Sequence, residues 1–238
     1  MASAELSALF AILPNVAPQA STACTAWTAH ALVAHLAAGA KERADLIEDK
    51  LAGRPERATK AFAEREAAFP ALHVEELRTA LVRETGRFET AVMALAQQGA
   101  RVTISFATTR FTAAQLAMHQ RSEAAIHRWD LVGSDQMGDE LLAQRELTQH
   151  GVAVLNSLQT VLQESPTQRV KHAGVSAVRI VLRSPDHPDV RLNAAAGRRR
   201  LRDCRPRVAG GRRRRDHRCR PAPAHHLGSP AHNPPHRH

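Results

Sequence analysis

Glu123 and His127 stand four residues apart in RSEAAIHRWDL, residues 121–131. In a helix that spacing puts both side chains on one face, where a carboxylate and an imidazole can grip the same metal ion. A third donor has to come from another element, and His35, in WTAHALVAHLAAGAKE, is the candidate. His, Glu and His leave a fourth coordination position open, as a catalytic rather than a structural divalent ion requires. Zinc suits imidazole and carboxylate donors best, with nickel and iron as alternatives.

Each residue also has a plainer reading. A Glu-x-x-x-His pair can be an exposed ion pair that stabilises a helix by about 0.3–0.5 kcal/mol. Against this, Leu116, Ile126 and Leu131 are expected to be buried around it, and an unpaired carboxylate among them would be costly. His35, between Ala34 and Leu36, fits a hydrogen-bonded core histidine as well as a ligand. His119, four residues before Glu123, is a ligand, a partner of a ligand or a partly buried histidine. Asp130, three residues after His127, either orients that imidazole or caps the helix. His30 is expected to point elsewhere. The residue types single out no catalytic acid or base.

The elements that must position these groups are mainly helical. A short helix is expected over 4–12, ended by Pro14. Thr28 caps a longer one with Leu32, His35, Leu36 and Gly39 on one face, stopped by Gly53 and Pro55. Residues 54–71 read as a polar connection. A third helix spans Val74 to Gln98, with Leu77, Leu81, Phe88, Val92 and Leu95 spaced for burial. RVTISFATTRF is a loop or a short extended piece. Thr112 caps a fourth helix through Leu131, and a fifth runs from Glu140 to Glu164. Residues 1–166 thus form an up-and-down helical bundle.

After Pro166, VSAVRIVLRS and DVRLN alternate around PDHPD, the pattern of a β-hairpin. Residues 167–196 therefore read as the start of an α/β C-terminal domain, incomplete because only the hairpin is present. From Gly197 to His238 no apolar period survives, and the composition predicts a disordered tail. Its vocabulary is what a GC-rich gene yields when read out of frame.

That tail governs the charge. The chain carries +10, but residues 197–238 hold 13 Arg against Asp203 and Asp216, which leaves 20 basic and 21 acidic groups in residues 1–196. The body is near neutral, and aromatics are only 3% with no Tyr, so no specific nucleic-acid partner is expected. Cys24, Cys204 and Cys219 form neither a CxxC pair nor a disulfide framework. The apolar N-terminus is broken by Glu5 and Pro14, so neither a signal peptide nor a membrane span is expected. These features suggest a cytoplasmic protein.

WTAHALVAHLAAGAKE followed by RFTAAQLAMHQRSEAAIHRWDL resembles the mycothiol-dependent maleylpyruvate isomerase family, over about residues 5–195. The resemblance implies a DinB-like metal-binding bundle in which His35, Glu123 and His127 are the ligands and His119 is not. It further implies an isomerase that uses the low-molecular-weight thiol mycothiol to convert maleylpyruvate to fumarylpyruvate, or a related thiol-dependent transfer. Its partners are then a small-molecule substrate and that thiol. A metal-binding bundle without catalysis, serving as a regulator, is the alternative. With the C-terminal domain incomplete, metal binding is expected to outlast isomerisation.

Overall fold

In a computed structural model the described residues are 3–25, 27–107, 109–157, 177–182, 190–195 and 198–203. Helix α1 spans Ala4–Ile12, and Ser3 caps it by accepting from the Leu6 amide at 3.3 Å. A 3-10 turn at Leu13–Asn15 ends it at Pro14. Helix α2, Ala29–Leu51, begins as expected at Thr28, whose hydroxyl accepts from the Ala31 amide at 3.2 Å. Its many alanines pack without side-chain ordering cost and let neighbouring helices approach closely.

Residues 54–71 are more than a connection. They contain the five-residue helix α3, Phe62–Glu66, which the polar composition conceals. Helix α4, Val74–Gln97, starts in a reciprocal box between His73 and Glu76 and buries Leu77, Leu81, Phe88, Val92 and Leu95, the stripe the spacing predicts.

RVTISFATTRF, expected as a loop or a short extended piece, is a β-hairpin of β1, Thr103–Phe106, and β2, Thr109–Thr112. Ile104, Phe106 and Phe111 point into the core, while Ala107 takes φ +54° at the turn. Thr112 closes the ladder opposite Thr103 and also caps the next helix, with Gln115 completing the box. Helix α5, Ala113–Val132, therefore starts at a position set by the hairpin.

The long fifth helix expected over 140–164 is two helices, α6 at Gln136–Leu142 and α7 at Arg145–Ser157. The break falls at Gln144, whose amide donates to the Leu141 carbonyl at 3.1 Å and to Glu5 at 2.8 Å. Glu5 and Arg121 need that third partner. The expected continuation over 158–164 lies outside the described residues.

Two large apolar clusters fill the bundle, beside a small third one of Ala125, Leu141 and Leu147. One joins α1, α2 and α4 around Leu9, Leu32, Leu77 and Leu81, and the other joins α2, α4, α5 and the hairpin around Ile47, Phe88, Leu95 and Leu116. Ile126, expected to be buried, is 43% exposed and belongs to none of the apolar clusters. The C-terminal hairpin pairs β3, Ala177–Leu182, with β4, Val190–Ala195, and is not alone: β5, Arg198–Asp203, adds antiparallel to β4. The third strand falls inside the segment expected to be disordered, since a backbone ladder needs no apolar pattern in the strand that completes it. Residues 204–238 lie outside the described residues. Among the described residues no helix is long and apolar enough to cross a membrane.

Glu5, 1% exposed, accepts from Arg121 Nη2 at 2.8 Å and Nε at 3.1 Å. Burial alone would raise its pKa, but Arg121, Gln144 and its own helix N-terminus hold it at about 2 against 4.5 for a free carboxyl. The folded value is depressed, so the pair's stabilisation is full above about pH 4.5 and is lost as pH falls through 2. Arg121→Ala is expected to cost about 3 kcal/mol in urea unfolding at neutral pH, because it strands a buried carboxylate. Glu5→Gln should flatten the acid side of the stability profile over the same pH window.

Candidate metal centre

His35 comes from the second turn of α2, and Glu123 and His127 come from consecutive turns of α5. Among the described residues, their donor atoms lie within 4.8 Å of one another. His127 Nε2 is 3.7 Å from Glu123 Oε2, and the two imidazole rings meet edge to face with centroids 5.6 Å apart. The three candidates from the sequence are thus brought together. Donors about 2.0–2.2 Å from one ion stand at separations of this order, so the set fits a divalent metal.

The rear nitrogen of each imidazole is already engaged. Asp130 Oδ2 accepts from His127 Nδ1 at 2.7 Å, so Asp130 orients the ring; the helix continues past it to Val132. Glu66 Oε1, on α3, accepts from His35 Nδ1 at 2.7 Å. A carboxylate on Nδ1 fixes the tautomer and leaves Nε2 with its lone pair for an ion, the arrangement that supports metal-bound histidine in general. Trp27 covers His35 with ring centroids 4.6 Å apart, and Phe62 stacks on it at 5.6 Å.

Sequence spacing did not reveal Glu66. It lies 31 residues from His35 in a segment with no period, and only tertiary packing brings it there. Cys24 was also missed. Its thiol donates to Asp130 Oδ2 at 3.4 Å, and the loop that carries it is pinned by the Ala23 amide on the Asp130 carbonyl at 2.9 Å. Cys24, His127 and Asp130 form a second close group of donors around the same imidazole. Burial and the Asp130 charge both push the Cys24 pKa up, so the thiol stays protonated beside that carboxylate.

His119 falls outside the triad. It is buried among Phe106, Phe111 and His150, with His150 Nε2 3.3 Å from its Nδ1. Burial lowers its pKa to about 4, so it is neutral at pH 7. His30 points away, its Nε2 3.2 Å from the Pro70 carbonyl.

The charges inside the site oppose burial. Desolvation would raise the Glu123 pKa, yet His127, His119 and Arg43 hold it well below the usual carboxylate range. Burial would lower His127, but Asp130 and Glu123 raise it to about 9. Burial dominates at His35 and lowers its pKa. Without metal, then, one proton sits on His127 between two carboxylates, where a divalent cation fits in its place.

Residues 1–132 match the family model described as the mycothiol maleylpyruvate isomerase N-terminal domain. Two crystal structures of a mycothiol-dependent maleylpyruvate isomerase, one of them a histidine-to-alanine mutant, align with a TM-score of 0.54 each, at 19% and 18% identity. The alignments cover 64% of this chain and 65% of those chains, so the chain spans somewhat less than two thirds of the solved relatives it matches. At that identity the likeness is one of fold. Comparison with curated protein sequences gives no match.

Metal binding at the triad has to displace the proton on His127. Apparent zinc affinity is therefore expected to rise about tenfold per pH unit below the His127 value of about 9 and to level off above it. Calorimetry at pH 7 in buffers of different ionisation heat should read about one proton released per ion.

Proposed function

The chain belongs to the mycothiol maleylpyruvate isomerase N-terminal domain family over residues 1–132, and on that premise we propose that it is a mycothiol-dependent metalloenzyme that isomerises maleylpyruvate to fumarylpyruvate. The observation that carries this reading is the convergence of His35, Glu123 and His127 with both Nδ1 atoms held by carboxylates. Three donors, one of them anionic, leave room for a fourth ligand.

His35, Glu123 and His127 would hold a divalent ion, zinc first, which would supply a Lewis acid able to keep a bound thiol ionised at neutral pH. The thiol would supply a nucleophile able to add reversibly to the activated cis double bond, so that rotation and loss of the same thiolate would give the trans isomer. The protein's own groups do the rest. Glu66 and Asp130 keep the two imidazoles in one tautomer and one orientation. Glu123 is engaged as a ligand and is not the base. Asp130 holds the Nδ1 proton of His127 on the side away from the other donors of the triad. Trp27 and Phe62 line His35 with apolar surface, which raises the strength of every charge interaction at the triad.

The test is an assay of the zinc-loaded full chain for fumarylpyruvate, with and without mycothiol. A slow rate that depends on both zinc and mycothiol is expected, and His127→Ala and Glu123→Gln should abolish zinc binding and turnover together. Asp130→Ala should lower metal affinity or activity roughly 10–100-fold, as loss of a ligand's orienting partner does. Stoichiometric zinc without thiol-dependent turnover would make the bundle a metal-binding regulator instead.

A further inference from the structure

Most arginines of the helical body have a carboxylate partner, as Arg57 has Glu42, Arg87 has Asp45 and Glu48, and Arg121 has Glu5. Arg43 and Arg65 do not. Among the described residues, they alone combine a buried Nε that has no hydrogen-bond partner with the lack of any ion pair. Both stand next to the triad. Arg43 lies two turns along α2 from His35 and is 2% exposed. Its guanidinium packs at 5.3 Å and 5.7 Å from the Phe88 and Phe106 ring centroids and reaches one neutral acceptor, Gln120. Gly39, between His35 and Arg43, gives it space: a Cβ there would lie 3.3 Å from Nη1.

Arg65 is half-buried and sits on α3, beside Glu66. Its guanidinium lies 4.1 Å from the centroid of Phe62, whose ring stacks on His35. None of its side-chain nitrogens bonds to a described residue. The acids that might serve it are occupied elsewhere: Glu66 holds His35 Nδ1, and Glu42 holds Arg57 and the Lys60 amide. Burial depresses the pKa of both guanidiniums; Glu123 acts against that at Arg43, and Glu66, Glu123 and Glu42 act against it at Arg65. Glu123 is the carboxylate that acts on both guanidiniums, it is ion-paired to neither, and a divalent ion on the triad would add two further positive charges. Desolvated cations with no acid bonded to them are costly, and an incoming anion would supply that bond.

We infer that Arg65, with Arg43 behind it, is the docking point for a carboxylate of the small molecule that reaches the triad. The inference rests on the reading of the triad as the reaction centre. The planar fork of a guanidinium matches a carboxylate through two parallel hydrogen bonds, and stacking on Phe62 holds the fork in one plane. Arg43 is too buried to be the contact and contributes the field. Substrate recognition then begins within the helical bundle, on the same short helix that orients His35.

The experiment is calorimetry on the full chain, with and without zinc, using maleate as probe, neutral maleamide as the uncharged analogue and phosphate as the other oxyanion. Maleate is expected to bind the wild type and to weaken about tenfold or more in Arg65→Gln, with Arg65→Lys recovering part of the loss. Zinc affinity and Tm should be unchanged in both variants. Equal maleate binding by wild type and Arg65→Gln would overturn the inference. So would the absence of maleate binding to the wild type, or binding of maleamide or phosphate as tight as that of maleate. The two readings fail separately. Arg65-dependent maleate binding in a chain that takes no zinc would sink the proposed function alone. Thiol-dependent turnover whose KM for maleylpyruvate ignores Arg65→Gln would sink this inference alone.

Discussion

The Glu123 carboxylate is 24% exposed at its side chain, and a charge so far withdrawn from water has to be compensated by its surroundings. That single requirement accounts for much of what surrounds it. His127 takes a proton and leans toward it from one turn later on the same helix. Arg43 and Arg65 approach from α2 and α3 without spending their charge on another acid. Asp130 then answers the charge on His127, and Cys24 donates its thiol to Asp130. The result is a chain of alternating donors and acceptors that runs from the α2 loop to the centre of the bundle. A divalent ion satisfies the same demand with fewer protons, which is why the apo arrangement and a metal site can share one geometry.

The bundle brings these groups close because α2 is so rich in alanine. Ala34, Ala37, Ala38 and Ala40 are almost fully buried, and Ala124 of α5 packs in the same cluster as the first three. Small side chains allow the helices to approach, and His35 reaches the face that carries Glu123 and His127. The start of α5 is set independently by Thr112, at once the last residue of β2 and the cap of the helix. A different start would rotate Glu123 off the shared face by about 100° per residue. The hairpin is therefore part of the site's positioning, although none of its residues belongs to the triad.

The sequence showed the features that depend on local periodicity. The apolar stripe of α4, the Thr28 and Thr112 caps and the pairing of Glu123 with His127 all follow from spacing within one helix. His35 could be proposed only as the histidine on an apolar face of another helix. The features that stayed hidden depend on contacts across the chain. Gln144 breaks what reads as one helix because Glu5, 139 residues earlier, needs a partner. Helix α3 has no capping side chain and only five residues, so it has no signature in composition; the Glu66–His35 bond and the burial of Phe69 nearby hold it in place. Ile126 looked buried because it is apolar, yet it is 43% exposed, while Ala124 and Leu131 are the α5 residues that join the α2 core.

The triad and its immediate selectivity therefore sit on different kinds of element. The three candidate ligands come from two long helices, where a change of position would disturb an apolar core on either side. Phe62, Arg65 and Glu66 come from a short helix on the surface, whose first four residues are exposed or half-exposed and whose seat is a single hydrogen bond and one buried aromatic. Substitution at Phe62 or Arg65 costs little packing, whereas substitution of Leu32 or Leu116 opens a cavity in a core and costs several kcal/mol. Chemistry that needs fixed ligands and chemistry that needs an adjustable anion contact make opposite demands on stability. Dividing them between rigid and lightly held elements meets both demands. Glu66 joins the two, since the residue that steadies the metal-facing imidazole is adjacent in sequence to the guanidinium that would meet the incoming carboxylate.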